Sequence, residues 1–429
     1  MSSEIVKVIG RRLWDSRGRP TVEAEVRLAG GAVGRAMAPA GASTGSGEAV
    51  DKRDGGPAFG GYDVRQALAA VNGEIAGALA GLDARDQATA DRALIALDGT
   101  PDKGRLGGNA LIATSMAIAQ AAAAEAGLPL WRYLGGGDDG RFLPLPEVQI
   151  FGGGAHAGRR VDVQDFMVIA IGAASYAEAL DWTAEVYLSA GRIMQEAGLY
   201  QGVADEGGFW PAFTSNEQAL DFLLRAIEGA GFRPGEDVAI SLDIAATDFG
   251  SQGRYRLATD GKTVDSDGLC EMLLGWLARY PIVAIEDPLG EDDPAAMAAF
   301  TRAAGAGVEV IADDFICTTA GRIGEAADIG ACNTALIKPN QAGTLTETRE
   351  ALDAARKAGW DSIVSARSGE TEDVTIVHLA VGWGVRQLKV GSFARSERMA
   401  KWNEGLRIAE SLGQGGGTLP PRASFPWGG

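Results

Sequence analysis

The sequence predicts an α/β protein: a small N-terminal α+β domain over residues 1–138, followed by an eight-stranded β/α barrel over residues 139–429. Three observations predict it. A chain of 429 residues has room for a barrel of about 250 residues and one smaller domain. The first third mixes an alternating strand pattern with Ala-rich helical stretches. Beyond it, short apolar runs end in charged residues and lead into helix-like sequence, which is the rhythm of βα units.

The elements follow in order. "TVEAEVRLAGGAVGRAMAP" alternates around a Gly-Gly turn and predicts a hairpin. "DVRQALAAVNGEIAGALAGL" predicts helix. "NALIATSMAIAQAAAAEAGLPLW" is apolar but interrupted by Thr114, Ser115, Gln120 and Glu125, so it reads as a buried helix rather than a membrane span. The small domain ends near "WRYLGGG". "LPEVQIF" and "VQDFMVIA" supply the first two barrel strands. Six further runs end at Asp243, Glu286, Asp313, Lys338, Arg367 and Lys389, at separations of 43, 27, 25, 29 and 22 residues. A strand, loop, helix and return need roughly that length, so parallel strands are expected. The tail "GQGGGTLPPRASFPWGG" reads as irregular.

Composition narrows the function. With 39 basic and 57 acidic residues the net charge is −18, which disfavours nucleic acid and anionic membranes as partners. A small anionic substrate remains compatible, through a local cationic pocket. The three scattered cysteines give no disulfide framework and no zinc spacing. No apolar signal core opens the chain, so a reducing, cytoplasmic setting is expected.

Six charged strand ends in succession, three acids and then Lys, Arg, Lys, would meet at the C-terminal mouth of a barrel. Three carboxylates repel each other unless a cation sits among them, and oxygen-only ligands favour Mg²⁺. Asp243, Glu286 and Asp313 are the expected ligands. Lys338 near such a centre suits a base. Lys389 suits a substrate carboxylate, and Arg367 with Ser368 suits a phosphate. This set describes removal of a proton next to a carboxylate. Glu206, in the Gly-rich "GVADEGGFW", suits an acid that protonates a leaving hydroxide. His156 lies in the loop "GGGAHAGRRVDVQDF", and Ser43 in "APAGASTGSGEA", a loop suited to closing over the mouth. His378, in the apolar run "TIVHLAVG", reads as structural.

From about residue 4 to residue 412 the chain resembles the enolase family. The resemblance rests on "GASTG", "GGGAHAG", "DEGGF", "LDIAA", "IEDP", "ADD", "IKPNQAGTLTET", "RSGETED", "LKVGS" and "RSERMAKWNE". It implies a barrel of unusual strand order, Mg²⁺ dependence and a homodimer. It also implies Mg²⁺ on Asp243, Glu286 and Asp313, Lys338 as base and Glu206 as acid. Arg367, Ser368 and Lys389 would bind substrate, and Ser43 would reach a second Mg²⁺.

The departures from the family pattern are specific. Ala366 stands where a His is usual, and Asp165 where a Glu is usual. Ala40 and Gly47 replace Ser and His in the first loop, and Arg159 with Arg160 replaces an uncharged pair. The expectation is a larger cavity, an altered grip by His156 and Asp165, and added positive charge at the mouth. This favours a specialised enolase-like enzyme acting on a small phospho- or phosphono-carboxylate, such as a carboxyphosphonoenolpyruvate synthase of phosphonate natural-product pathways. A glycolytic enolase and an inactive binding relative are the alternatives.

Overall fold

The structure is a computed structural model that describes residues 2–136, 142–413 and 417–428. The expected domain boundary at 138/139 lies outside the described residues.

The small domain opens with β1 (Ile5–Trp14), β2 (Pro20–Leu28) and β3 (Val33–Met37), paired as an antiparallel meander. The predicted hairpin is β2–β3, with Ala24 opposite Ala36. Alternation sends Val22, Ala24, Val26 and Leu28 into the core. The other face of β2 carries Glu25, fully buried beneath Arg11, Arg27 and Arg35 at 2.6–2.8 Å. The Ala-rich segment forms the helix Gly108–Ala126, buried along nearly its whole length. Its small side chains let the sheet come unusually close: a Cβ on Gly34 of β3 would lie 2.1 Å from the Ala117 carbonyl oxygen. No helix among the described residues is long and apolar enough to cross a membrane.

The barrel strands are β4 (Leu145–Gly152), β5 (Asp165–Ile169), β6 (Ala239–Asp243), β7 (Ile282–Glu286), β8 (Glu309–Ala312), β9 (Thr334–Ile337), β10 (Asp361–Ser365) and β11 (Gln387–Gly391). They neighbour one another in that order, and β11 pairs with β4 to close the barrel. One strand departs from the expected parallel rhythm: β5 runs antiparallel to both β4 and β6. It follows β4 through residues 153–164, which hold one helical turn, Gly154–Ala157, and no full crossover helix of the kind usual between parallel strands. Its first residue, Asp165, is therefore brought level with Asp243, the last residue of β6.

Ala284, Ile311, Leu336 and Ile363 pack together inside the barrel, and the large core lies between strands and helices. Within the tail, Arg422–Ser424 and Pro426–Gly428 form short helical turns that the irregular reading did not predict. Phe425 stacks on Trp427 at 4.6 Å, and the Trp427 indole donates to Glu309 at the opposite end of the barrel from the charged mouth.

Candidate active site

The charged mouth is assembled from strand ends. Asp243 and Glu286 close β6 and β7 and are register partners. Lys389 of β11 reaches between them, with Nζ 2.8 Å from Asp243 Oδ2, 2.6 Å from Glu286 Oε2 and 3.7 Å from Asp165 Oδ2. Asp313, just past β8, pairs with Lys338 and accepts from Gln341 Nε2 at 2.8 Å. The predicted acids and bases therefore do meet, but each carboxylate faces an ammonium. Among the described residues the tight triplets are His156–Asp165–Glu206 and Asp287–Asp313–Asp314, rather than the expected trio.

Electrostatics follow from this packing. Burial works against the Lys389 ammonium, but Asp243 and Glu286 outweigh it and hold its pKa well above the usual lysine range. Lys338 behaves alike: burial lowers it, and Asp313 more than restores it. Burial pushes the Glu286 carboxyl up, and nearby Asp243 adds to the shift. Glu286 Oε1 is buried without a hydrogen-bond partner. An all-carboxylate set with one uncommitted buried oxygen fits a hard divalent cation. Asp287 braces this side, since its two oxygens accept the backbone N–H groups of Asp313 and Asp314 at 2.9 and 2.8 Å.

The second cluster is a buried His with two carboxyls. His156 Nδ1 lies 3.5 Å from Asp165 Oδ1 and 3.8 Å from Glu206 Oε1. Burial alone would lower the imidazole, but the Glu206 and Asp165 carboxylates outweigh it and raise its pKa. Burial raises the Glu206 carboxyl against the pull of His156. Gln149 donates to Asp165. Glu206 sits in the turn between Tyr200–Val203 and Phe209–Pro211. Gly207 beside it has φ +94, and a Cβ there would lie 2.3 Å from the Ala394 carbonyl oxygen. Glycine at position 207 is thus a geometric requirement.

Arg367 is buried and bidentate to Glu48, at 2.9 and 3.1 Å, and donates to the Ser43 carbonyl at 3.0 Å. Ser43 Oγ donates to Gln164 Oε1 at 3.2 Å, and Gln164 donates onward to Asp243 at 2.9 Å. Ser368 Oγ accepts from Arg17 at 3.3 Å. Buried Arg398 clamps the Arg367 and Ser368 carbonyls at 2.7 Å each. Reasoning from sequence missed Glu48, Gln164, Gln341 and Arg398. Gln164 and Gln341 carried a readable signal, each lying within three residues of a predicted site residue.

Several expectations are corrected. The polar cavity lined by Ser43, His156, Asp165, Glu206, Lys338, Ala366, Arg367, Ser368 and Lys389 encloses only about 10 Å³. Ala366 and Asp165 both stand in its wall. Arg159 and Arg160 do not line this cavity. Arg159 donates to the Asp248 carbonyl at 2.9 Å, and Arg160 is exposed. Gly47 and Ala40 also lie outside it: Arg322 fills the space a side chain at position 47 would take, and Ala40 bridges to Gly369 through its backbone. His378 is buried in its helix, away from the mouth, 3.4 Å from Glu404.

Two family models match the chain. The model described as the enolase N-terminal domain covers residues 5–134, and that described as the enolase C-terminal TIM barrel domain covers residues 141–418. With a small α+β domain, a closed barrel whose second strand is reversed, and acidic and basic strand ends facing one another at its mouth, the chain belongs to the enolase family.

Proposed function

We propose that this protein is a Mg²⁺-dependent enzyme that removes a proton next to the carboxylate of a small phospho- or phosphono-carboxylate, specialised away from ordinary 2-phosphoglycerate dehydration. A carboxyphosphonoenolpyruvate synthase is the class that fits best, working as a cytoplasmic homodimer. The observation that carries the reading is the pairing of two lysines with strand-end carboxylates in one buried cavity, with Ala366 and Asp165 in its wall.

Asp243, Glu286 and Asp313 would hold the ion, and Ser43 lies on the loop above for a second. Bound Mg²⁺ supplies positive charge against the charge that builds on the substrate carboxylate as its neighbouring proton leaves. Lys338 Nζ would accept that proton as the neutral amine, so its ion pair with Asp313 must first open and the ammonium must give up its own proton. Lys389 and Arg367 orient the two anionic ends of the substrate. The buried Glu206 carboxyl, raised by burial, carries the proton for a departing oxygen, with His156 beside it. Loop residues Ala42 and Ser43 cover the cavity and keep water out.

The alternative, a glycolytic enolase, draws on the same lysines and on Glu206. Purified protein with Mg²⁺ and 2-phosphoglycerate separates the two. The specialised reading predicts phosphoenolpyruvate formation well below about 10 s⁻¹, the median enzyme rate. It also predicts a gain of about 10-fold or more in the Ala366→His, Asp165→Glu variant, since a catalytic group misplaced by about 1 Å can cost 100-fold. Brisk wild-type turnover would refute the specialisation.

A further inference from the structure

Beside the mouth lies a larger cavity, of about 800 Å³. Its walls are the outer side of the His156 loop, the segment following β6, and the strand Arg254–Leu257 of a small antiparallel sheet. The size is that of a small-ligand site, which typically runs to about 300–1,000 Å³.

Three guanidinium groups line it, from Arg159, Arg254 and Arg256. Arg254 and Arg256 are exposed and two apart on one strand, with buried Tyr255 between them, so both project from the same face. Neither guanidinium has a hydrogen-bond or ion-pair partner among the described residues, whereas Arg159 donates to the Asp248 carbonyl and feels the Asp248 carboxylate electrostatically. Elsewhere on this chain of net charge −18, exposed or half-exposed arginines such as Arg11, Arg65 and Arg279 pair with carboxylates.

Two acids share the walls; Asp248 partly offsets Arg159, which leaves Arg254 and Arg256 as the uncompensated cations. Asp162 is committed elsewhere: it accepts the backbone N–H groups of Ala258 and Thr259, at 2.8 and 3.1 Å, and the Asn216 amide at 2.9 Å. It ties the loop to the end of the arginine strand and so fixes the cavity's shape. Asp248 holds one buried oxygen, Oδ2, with no hydrogen-bond partner. That oxygen suits a hydroxyl or amine carried next to an anion.

We propose that this cavity is a separate binding subsite for a small organic ligand bearing a phosphate or phosphonate group. Arg254 and Arg256 grip its oxygens from the strand, and Arg159 closes from the loop. Guanidinium forks match tetrahedral oxyanions, and charge-assisted hydrogen bonds of this kind are about twice as strong as neutral ones. The subsite stands independently of the chemistry assigned to the barrel mouth.

Titration calorimetry at fixed ionic strength tests it, with phenyl phosphate and phenylphosphonate as probes. The wild-type chain binds at least one probe saturably, and the better probe tells phosphate ester from phosphonate. The Arg254→Gln, Arg256→Gln double variant weakens that binding by about 10-fold or more. Both positions are exposed, so its melting temperature stays close to that of the wild type. Arg302→Gln, an exposed change elsewhere, alters binding by less than about 2-fold. Failure of both probes to bind, undiminished binding by the double variant, or an equal loss in Arg302→Gln would overturn the proposal.

Discussion

A single ammonium, Lys389 Nζ, joins the two carboxylates that end adjacent barrel strands. From sequence, Lys389 reads as a grip for a substrate carboxylate; its pairing with Asp243 and Glu286 is not foreseen there. Residue type and strand-end position were legible, but not which opposite charges would find each other. Arg367 and Glu48 show why: they lie 319 residues apart, and only the fold brings them together. Removing one partner of a buried ion pair leaves the other charge uncompensated. Lys389→Met, unfolded in denaturant without divalent ions, should therefore lose about 3–5 kcal/mol relative to wild type. A loss below about 1 kcal/mol, the range of exposed pairs, would show that Asp243 and Glu286 do not depend on it.

At the scale of elements, periodicity recovered the hairpin, the buried Ala-rich helix and the strands whose ends carry the site. It did not recover the reversal of β5, because an apolar run carries no direction along the chain. Asp165 reaches the mouth only through that reversal. Composition also concealed the polar face of β2. Burial raises the Glu25 carboxyl, but hydrogen bonds from Arg35, Arg27 and Arg11 overcome this and bring it down to about 2. The folded state thus binds this proton less tightly than the unfolded chain does. The stabilisation is fully present above the ordinary glutamate range near 4.5 and fades as pH falls toward 2. Glu25→Gln should melt below wild type at pH 7, and the gap should narrow as pH drops from 4.5 toward 2. A gap that holds constant with pH would mean that the arginines stabilise this strand by packing alone.

Across the whole molecule, the small domain completes the mouth of the barrel. Glu48 and Ser43 hold Arg367, Arg17 reaches Ser368, and Asp373 accepts the Met37 N–H at 2.9 Å. Lys103 pairs with Glu347 at 2.6 Å on the same boundary. These contacts place the first loop over the strand ends, the arrangement a closing lid requires. Everything proposed for the chemistry depends on those strand ends receiving a cation. The most direct measurement is a crystal structure of the full chain grown with Mn²⁺, an oxygen-ligated ion visible by its anomalous signal. The account predicts a peak about 2.0–2.3 Å from carboxylate oxygens of Asp243, Glu286 and Asp313, with the Lys389 amine drawn away from them. No peak there at saturating Mn²⁺, with Lys389 and Lys338 still seated on the carboxylates, would contradict it.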